Sequence, residues 1–266
     1  MSTESLPDTL KQVRKARRLS QLELSLRLNV SQRHISFVES GRARPSRELL
    51  LAWLQALEAP LVVRNEALLQ AGYAPVYGTA QLDDPALAQV NEALQQLLFA
   101  HDPMPALVID AQWNLLRLNR GGQWLAATLM PWTATLTDTA PVNLLDLLAH
   151  PEGFTKPIVN LAEVGPAMLS ILKHEASVQP AIAPIVVAFA ARVRDRRGGL
   201  PLLPSGSRPS APVLTTRYAT QYGELAFFSL FTTFGTPQDI TLASLRVEHL
   251  FAADEATQAI LKAHVQ

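Results

Sequence analysis

Residues 20–46 read SQLELSLRLNVSQRHISFVESGRARPS, and this stretch decides the fold of the amino-terminal third of the chain. Ser20 followed by Glu23 has the spacing of a capping box, in which the hydroxyl takes a free backbone N–H and the carboxylate reaches back to the cap's own N–H. A helix therefore starts at Gln21 and carries Leu22, Leu24, Leu26 and Leu28. Asn29-Val30 makes a tight turn, Ser31 caps the next helix, and that helix runs from Gln32 to Ser40 and stops at Gly41. Two short helices joined by so brief a turn cannot lie antiparallel. They cross steeply, the geometry that sets the second helix of a helix-turn-helix in a DNA major groove. At about 100° per residue, Ile35 and Val38 point inward, while Arg33, Ser36, Phe37 and Ser40 point outward and Gln32 sits at the exposed start. Gln suits adenine, Arg suits guanine, and an exposed Phe packs on a thymine methyl. The competing reading is an ordinary surface helix.

Working outward, residues 7–17 form an amphipathic helix, with Leu10 and Val13 on a stripe surrounded by Lys11, Arg14, Lys15, Arg17 and Arg18. Pro45-Ser46 caps a fourth helix over 47–57, and a helical string over 58–72 ends at Tyr73-Ala74-Pro75. Residues 76–84 have the composition of a linker. The expected organisation is a helical domain over 1–75, a linker over 76–84 and a second domain over 85–266. Charge follows the same division. The chain of 266 residues has 23 Lys+Arg and 23 Asp+Glu, yet residues 1–60 hold ten of the former against six of the latter, a locally basic head on an acidic body. With 48% apolar and 17% charged residues the chain can bury a core. The absence of cysteine excludes disulfides, thiolate metal sites and a Cys nucleophile. No stretch has the run of about 18 apolar residues of a membrane helix, and the start MSTESLPD lacks a signal-peptide pattern, so a cytoplasmic protein without membrane contact is expected.

In the body, a helix over 85–100 leads into two strands over 106–110 and 113–118, and Asn119 caps a helix through Trp124 to Leu129. Helices follow over 143–148, 161–176 and 181–197. Residues 213–222 and 224–234 alternate as paired strands around Gly223, and 240–250 reads as a third. Leu225, Phe227, Ser229 and Phe231 on one side and Ala226, Phe228 and Leu230 on the other make 224–234 a strand buried on both faces. Strands at both ends with helices between imply an α+β domain of the PAS-like kind, an antiparallel sheet flanked by helices. The Gly, Pro and Ser-rich segment 198–212 reads as a flexible, disordered loop by its composition, the alternative being a mobile lid. Arg192, Arg194, Arg196 and Arg197 close a helix, where cations suit the dipole, and read as a solvated end.

Both halves resemble known families. Ser20-Gln21, Leu24, Val30-Ser31, Ile35-Ser36, Glu39, Gly41 and Pro45-Ser46 are similar to the xenobiotic-response-element, lambda-repressor-like helix-turn-helix. That resemblance implies a double-stranded DNA operator as partner and a pairing of Glu39 with Arg14. The segments MPALVIDAQWNLLRLNRGG, NLLDLLAHPEGF and ELAFFSLFTTFGTPQDITLASLRVEHLFAADEATQAIL resemble the MmyB-like ligand-binding domain fused behind such a head. This implies a bacterial transcription regulator with a PAS-like small-molecule sensor. His150-Pro151 belongs to the resemblance, whereas Asn160-Leu161 stands where members often carry Trp, and the Pro-Ser run over 201–212 has no place in the pattern.

The expected base contacts are Gln32, Arg33, Ser36 and Phe37, with Gln21, Arg42 and Arg44 near phosphates. One short recognition helix reads few base pairs, so a homodimer on paired half-sites is expected. The excess of apolar faces in the body implies an apolar or amphipathic small molecule, such as a fatty-acyl-like compound, between sheet and helices. Leu116, Leu118, Trp124, Leu148, Met168, Leu172, Phe227 and Phe231 are its expected lining, and Asn119, His150 or Arg217 its polar anchor. Enzyme signatures are missing: Pro204-Ser205-Gly206-Ser207 lacks the spacing of a nucleophile elbow, and Gly121-Gly122 and Gly198-Gly199 lack the further glycines of a phosphate loop. The pairs His101-Asp102, His150 with Glu152, His174-Glu175 and Glu248-His249 read as solvated or capping pairs rather than metal or acid–base sites. No cofactor, metal or catalytic residue is expected. The alternatives are a DNA-tethered enzyme acting on a small metabolite and a protein-interaction body without ligand.

Overall fold

The computed structural model describes residues 5–135, 142–178, 182–196, 198 and 213–265. It divides into one unit of residues 1–84 with 234–243 and another of residues 85–233 with 244–266.

The first unit holds α1 (Leu6–Ala16), α2 (Gln21–Arg27), α3 (Gln32–Glu39), α4 (Arg47–Ala56) and α5 (Leu61–Gln70). Local hydrogen bonds start its short helices. Glu23 N donates to the Ser20 hydroxyl at 3.1 Å and Ser20 N to the Glu23 carboxylate at 2.7 Å, while Ser31 and Ser46 cap α3 and α4 through the hydroxyl alone, accepting from His34 N and Leu49 N. Asn29, at φ +52°, takes the left-handed conformation that turns the chain from α2 into α3. Leu10, Leu24, Ile35, Leu50, Trp53 and Leu68 meet in a sealed core.

Residues 76–80, within the expected linker, are pinned to the first unit. Asn65 Oδ1 accepts from Val76 N and Tyr77 N at 3.1 and 3.2 Å, while Asn65 Nδ2 donates to Tyr77 O. Gly78 bridges to Asp239, whose Oδ2 accepts from Ala80 N at 3.2 Å. The other Asp239 oxygen accepts from Thr241 N at 2.8 Å and starts α11 (Ile240–Ser244). This cap is why 240–250 is not one strand: the strand begins only at Arg246.

The second unit runs α6 (Ala88–His101), β1 (Ala106–Ile109), β2 (Leu115–Leu118), α7 (Arg120–Leu129), α8 (Leu144–Ala149), α9 (Leu161–Val178), α10 (Ala183–Arg196), β3 (Thr216–Thr220), β4 (Gly223–Thr232), β5 (Arg246–Ala252) and α12 (Glu255–His264). The five strands form an antiparallel sheet in the order β2-β1-β5-β4-β3, so β5, last in sequence, is central. Alternation and register put Leu225, Phe227, Ser229 and Phe231 on one face with Leu250, Glu248 and Arg246 of β5 and Leu107 and Ile109 of β1. Tyr218, Leu225 and Phe227 on that face pack with Leu125, Leu148, Leu172 and Phe189 of the helices. On the opposite face His101 of α6 sets its ring 4.8 Å from both His249 and Phe251.

Burial of β4 on both faces holds only for Leu225, Ala226 and Phe227. Leu230 and Phe231 are about half exposed, at 53% and 47%. The pairing with β3 stops at Phe227, so among the described residues the rest of β4 is an edge. Gly121 and Gly122, idle as a phosphate motif, let α7 close on β1 and the loop before it: a Cβ on Gly122 would stand 2.8 Å from Ala106 O, and one on Gly121 would run into the carbonyls of Pro103 and Met104. Arg192 is not solvated either. It donates to Leu148 O, Ala149 O and the Thr155 hydroxyl, closing the end of α8. The flexible loop expected at 198–212 lies, beyond Gly198, outside the described residues.

Candidate nucleic-acid interface and ligand-binding domain

α3 presents a defined surface because its inner side is anchored. Ile35 and Val38 are sealed, whereas Gln32 and Arg33 are exposed and Ser36 and Phe37 half-buried. The Arg33 guanidinium lies 5.0 Å from the centre of the Phe37 ring, and that of Arg42, in the loop after α3, lies 5.9 Å from it. An aromatic flanked by two cations thus marks the outward side. Behind it, Glu39 accepts from Arg14 Nε and Nη2 at 2.6 and 2.7 Å and from Gln21 Nε2 at 2.8 Å, while Arg14 Nη1 donates to Leu19 O. Burial works to raise the Glu39 pKa, but the hydrogen bonds from Arg14 and Gln21 and the Arg14 charge outweigh it and hold the carboxyl below its ordinary range.

Of the residues expected at DNA, Gln32, Arg33, Ser36, Phe37 and Arg42 lie on or beside one exposed helix. The side chains of Gln21 and Arg44 have partners within the unit. That of Gln21 is committed to Glu39, and that of Arg44 donates to Ala71 O and stacks on Tyr73, 5.5 Å from its ring centre.

In the sheet unit, Leu148, Leu172 and Phe227 are buried in one apolar cluster, with Trp124 and Met168 packed against it. Leu116 and Phe231 are surface residues and Leu118 is half-buried. The three expected anchors each have partners within the unit. Asn119 caps α7 and spends its amide on Ala106 N, Gly122 N, Leu98 O and Met104 O. His150 stacks on Trp132 and accepts from Glu152 N through Nδ1. Arg217 pairs with Glu224 at 2.9 Å, both side chains about half exposed.

The polar group facing the helices is one set aside as solvated. Glu248 is half-buried on β5, with Ser229 of β4 beside its carboxyl. Burial pushes its carboxyl up from the ordinary value, against the smaller effects of Ser229 and Arg246. Tyr218 is raised as well, by burial and then by the Glu248 charge. Its neighbour His249 points the other way, is 6% exposed, and contacts Thr232 and His101. Solvation therefore describes neither. The signal was a Glu at an inward position of the apolar run RVEHLF, legible only once the neighbours of β5 are known. His101 touches Leu250 O, Asp102 pairs with Arg120 at 3.0 Å, and Glu175 pairs with Arg246 at 3.1 Å. Among the described residues no group of acidic and His side chains has the arrangement of a metal site, and no helix is long and apolar enough to cross a membrane.

Comparison with protein families agrees with this two-part architecture. A helix-turn-helix family matches residues 10–63, and the MmyB-like transcription regulator ligand binding domain matches residues 90–263. No curated protein matches the chain. With a DNA-binding head on one side and most of its length in the second match, the chain belongs to the MmyB-like transcription regulators, with a helix-turn-helix and a ligand-binding domain.

Proposed function

We propose that the chain reads a specific duplex operator through α3 as a homodimer, without catalytic activity of its own, and that an apolar or amphipathic small molecule in the sheet unit modulates this binding. The observation that carries the DNA reading is the outward row of exposed Gln32 and Arg33 with half-buried Ser36 and Phe37 on a helix anchored by the Arg14–Glu39–Gln21 network. Arg33 and Gln32 face base edges, and Arg42 meets a phosphate, supplying affinity without sequence choice. Paired half-sites supply the length of sequence that one short helix lacks. Trp124, Leu148, Met168, Leu172 and Phe227 are the apolar side of the ligand region, with Leu116, Leu118 and Phe231 at its margin. The ligand acts as a signal only if it binds the two DNA-binding states unequally.

Gel-shift titration of the full chain over a salt series tests the reading. Arg33→Ala loses about 1–3 kcal/mol at the preferred site and relaxes choice at one base pair. Arg42→Ala weakens all sequences alike and flattens the salt slope. Binding without salt dependence, or a monomer by sedimentation on a non-palindromic footprint, overturns it.

A further inference from the structure

We infer that Glu248, with Ser229 beside it, forms the head-group subsite of the ligand region and takes an amphipathic molecule whose polar end is a cationic amine. The inference rests on the sensor reading above and adds the chemistry of the head.

The helix-facing side of the sheet has two unlike ends. At one, Tyr218, Leu225 and Phe227 are sealed under the helices. At the other, the row across the sheet runs Leu118, Leu107, Glu248, Phe231, from the registers Leu107↔Leu118, Leu107↔Glu248 and Phe231↔Glu248. Phe231 is 47% exposed, Ser229 is exposed, and the other three are half-buried. A carboxylate on the central strand thus stands between two apolar neighbours at an open margin of the apolar face.

Among the described residues, Glu248 has no cation of its own. The nearby basic group is Arg246, two residues earlier on the same face, and its guanidinium is held 3.1 Å from Glu175 and 4.7 Å from the centre of the Trp113 ring. Tyr218, the other titratable group beside it, repels the charge, and the Ser229 hydroxyl beside it is neutral. A half-buried carboxylate supplied in this way is unfavourable until an opposite charge arrives. An ammonium at the end of an apolar chain fits: its nitrogen meets Glu248 and Ser229, and its chain runs over Leu107, Leu118 and Phe231. A fatty-acyl carboxylate, the head expected from the sequence, would set a second anion against the first.

The test uses the full chain with three probes of equal chain length, decylamine, decanoic acid and 1-decanol, below their aggregation concentrations. Binding is followed by calorimetry and thermal shift. Decylamine binds at least about tenfold more tightly than decanoic acid, and Glu248→Gln loses about tenfold of that affinity. Phe231→Lys, at a position already exposed, places a resident cation directly across the strand from Glu248 and abolishes decylamine binding with the fold unchanged. Decanoic acid binding as tightly as the amine, or decylamine binding untouched by both substitutions, overturns the assignment. Native mass spectrometry separates the two levels. A co-purified molecule with an anionic head overturns the amine head alone. No co-purified molecule and no binding of any probe overturns the sensor reading with it.

Discussion

Glu39 and Glu248 are both carboxylates withdrawn from water, and the two units provide for them in opposite ways. In the helical unit Glu39 receives two bonds from Arg14 and one from Gln21, and its pKa is held down despite burial. In the sheet unit Glu248 has one hydroxyl and a cation already engaged with another acid, and burial pushes its pKa up. A fully paired buried charge fixes geometry, as Glu39 does by tying α3 to α1 and α2. A poorly paired one is a standing cost, which a protein tolerates where a ligand is to be recognised.

Breaking the paired member has the larger consequence. Glu39→Ala leaves the Arg14 guanidinium buried without its acid, and about 3 kcal/mol of stability is lost from the helical unit. Unit-resolved amide exchange checks this, with protection falling in α1–α3 and staying constant in β1 and β5. The same contrast has a pH signature. The depressed Glu39 contributes stability that is fully present above the ordinary carboxylate value of about 4.3 and is lost as pH falls through its folded pKa. The raised Glu248 works the other way: its cost is absent below about 4.3 and grows as pH rises toward its folded pKa. Acidification from neutral pH therefore relieves the cost at Glu248 before it weakens the helical unit, while His249 on the other face of the sheet, its pKa lowered by burial and by His101, costs stability as pH falls below the ordinary imidazole value of about 6.5. The Glu248 part is read as the stability gap between Glu248→Gln and the parent chain, and a gap that does not narrow on acidification from neutral pH would break the comparison.

A control within the sheet unit sharpens it. Gly121→Ala drives a Cβ into the carbonyls of Pro103 and Met104, forcing α7 off the loop that leads into β1, and costs about 1–3 kcal/mol. Thermal unfolding shows the loss, while operator binding by α3 is retained. The smallest change is Glu248→Met, which replaces a half-buried charge by a side chain of similar volume. Stability in chemical denaturation is unchanged or raised by about 1 kcal/mol. A marked loss would show that Glu248 is a structural group on the same footing as Glu39.

The helical unit was legible in the sequence because what starts its helices is local. Ser20 with Glu23, Ser31 with His34 and Ser46 with Leu49 are partners three residues apart, and the apolar positions repeat at the helical period. The capping role of Asn119 was readable for the same reason. Gln21 and Arg44 show where that stops. Their side-chain partners, Glu39 and Ala71 O, stand 18 and 27 residues away, so nothing in the local pattern shows that they are engaged within the unit.

The amino-acid sequence alone determined that a short-turn helical pair presents Gln32, Arg33, Ser36 and Phe37 outward, and that strands flanking a helical middle make one antiparallel sheet. Periodicity and capping are encoded within a few residues. Only the tertiary structure decided that β5 lies at the centre between β1 and β4, that β4 becomes an edge beyond Phe227, and that Asp239 ends the expected strand by starting a helix. Strand order follows from which faces seal best against helices distant in the chain. That choice places Glu248, an ordinary acid in the sequence, on the inner face beside Ser229.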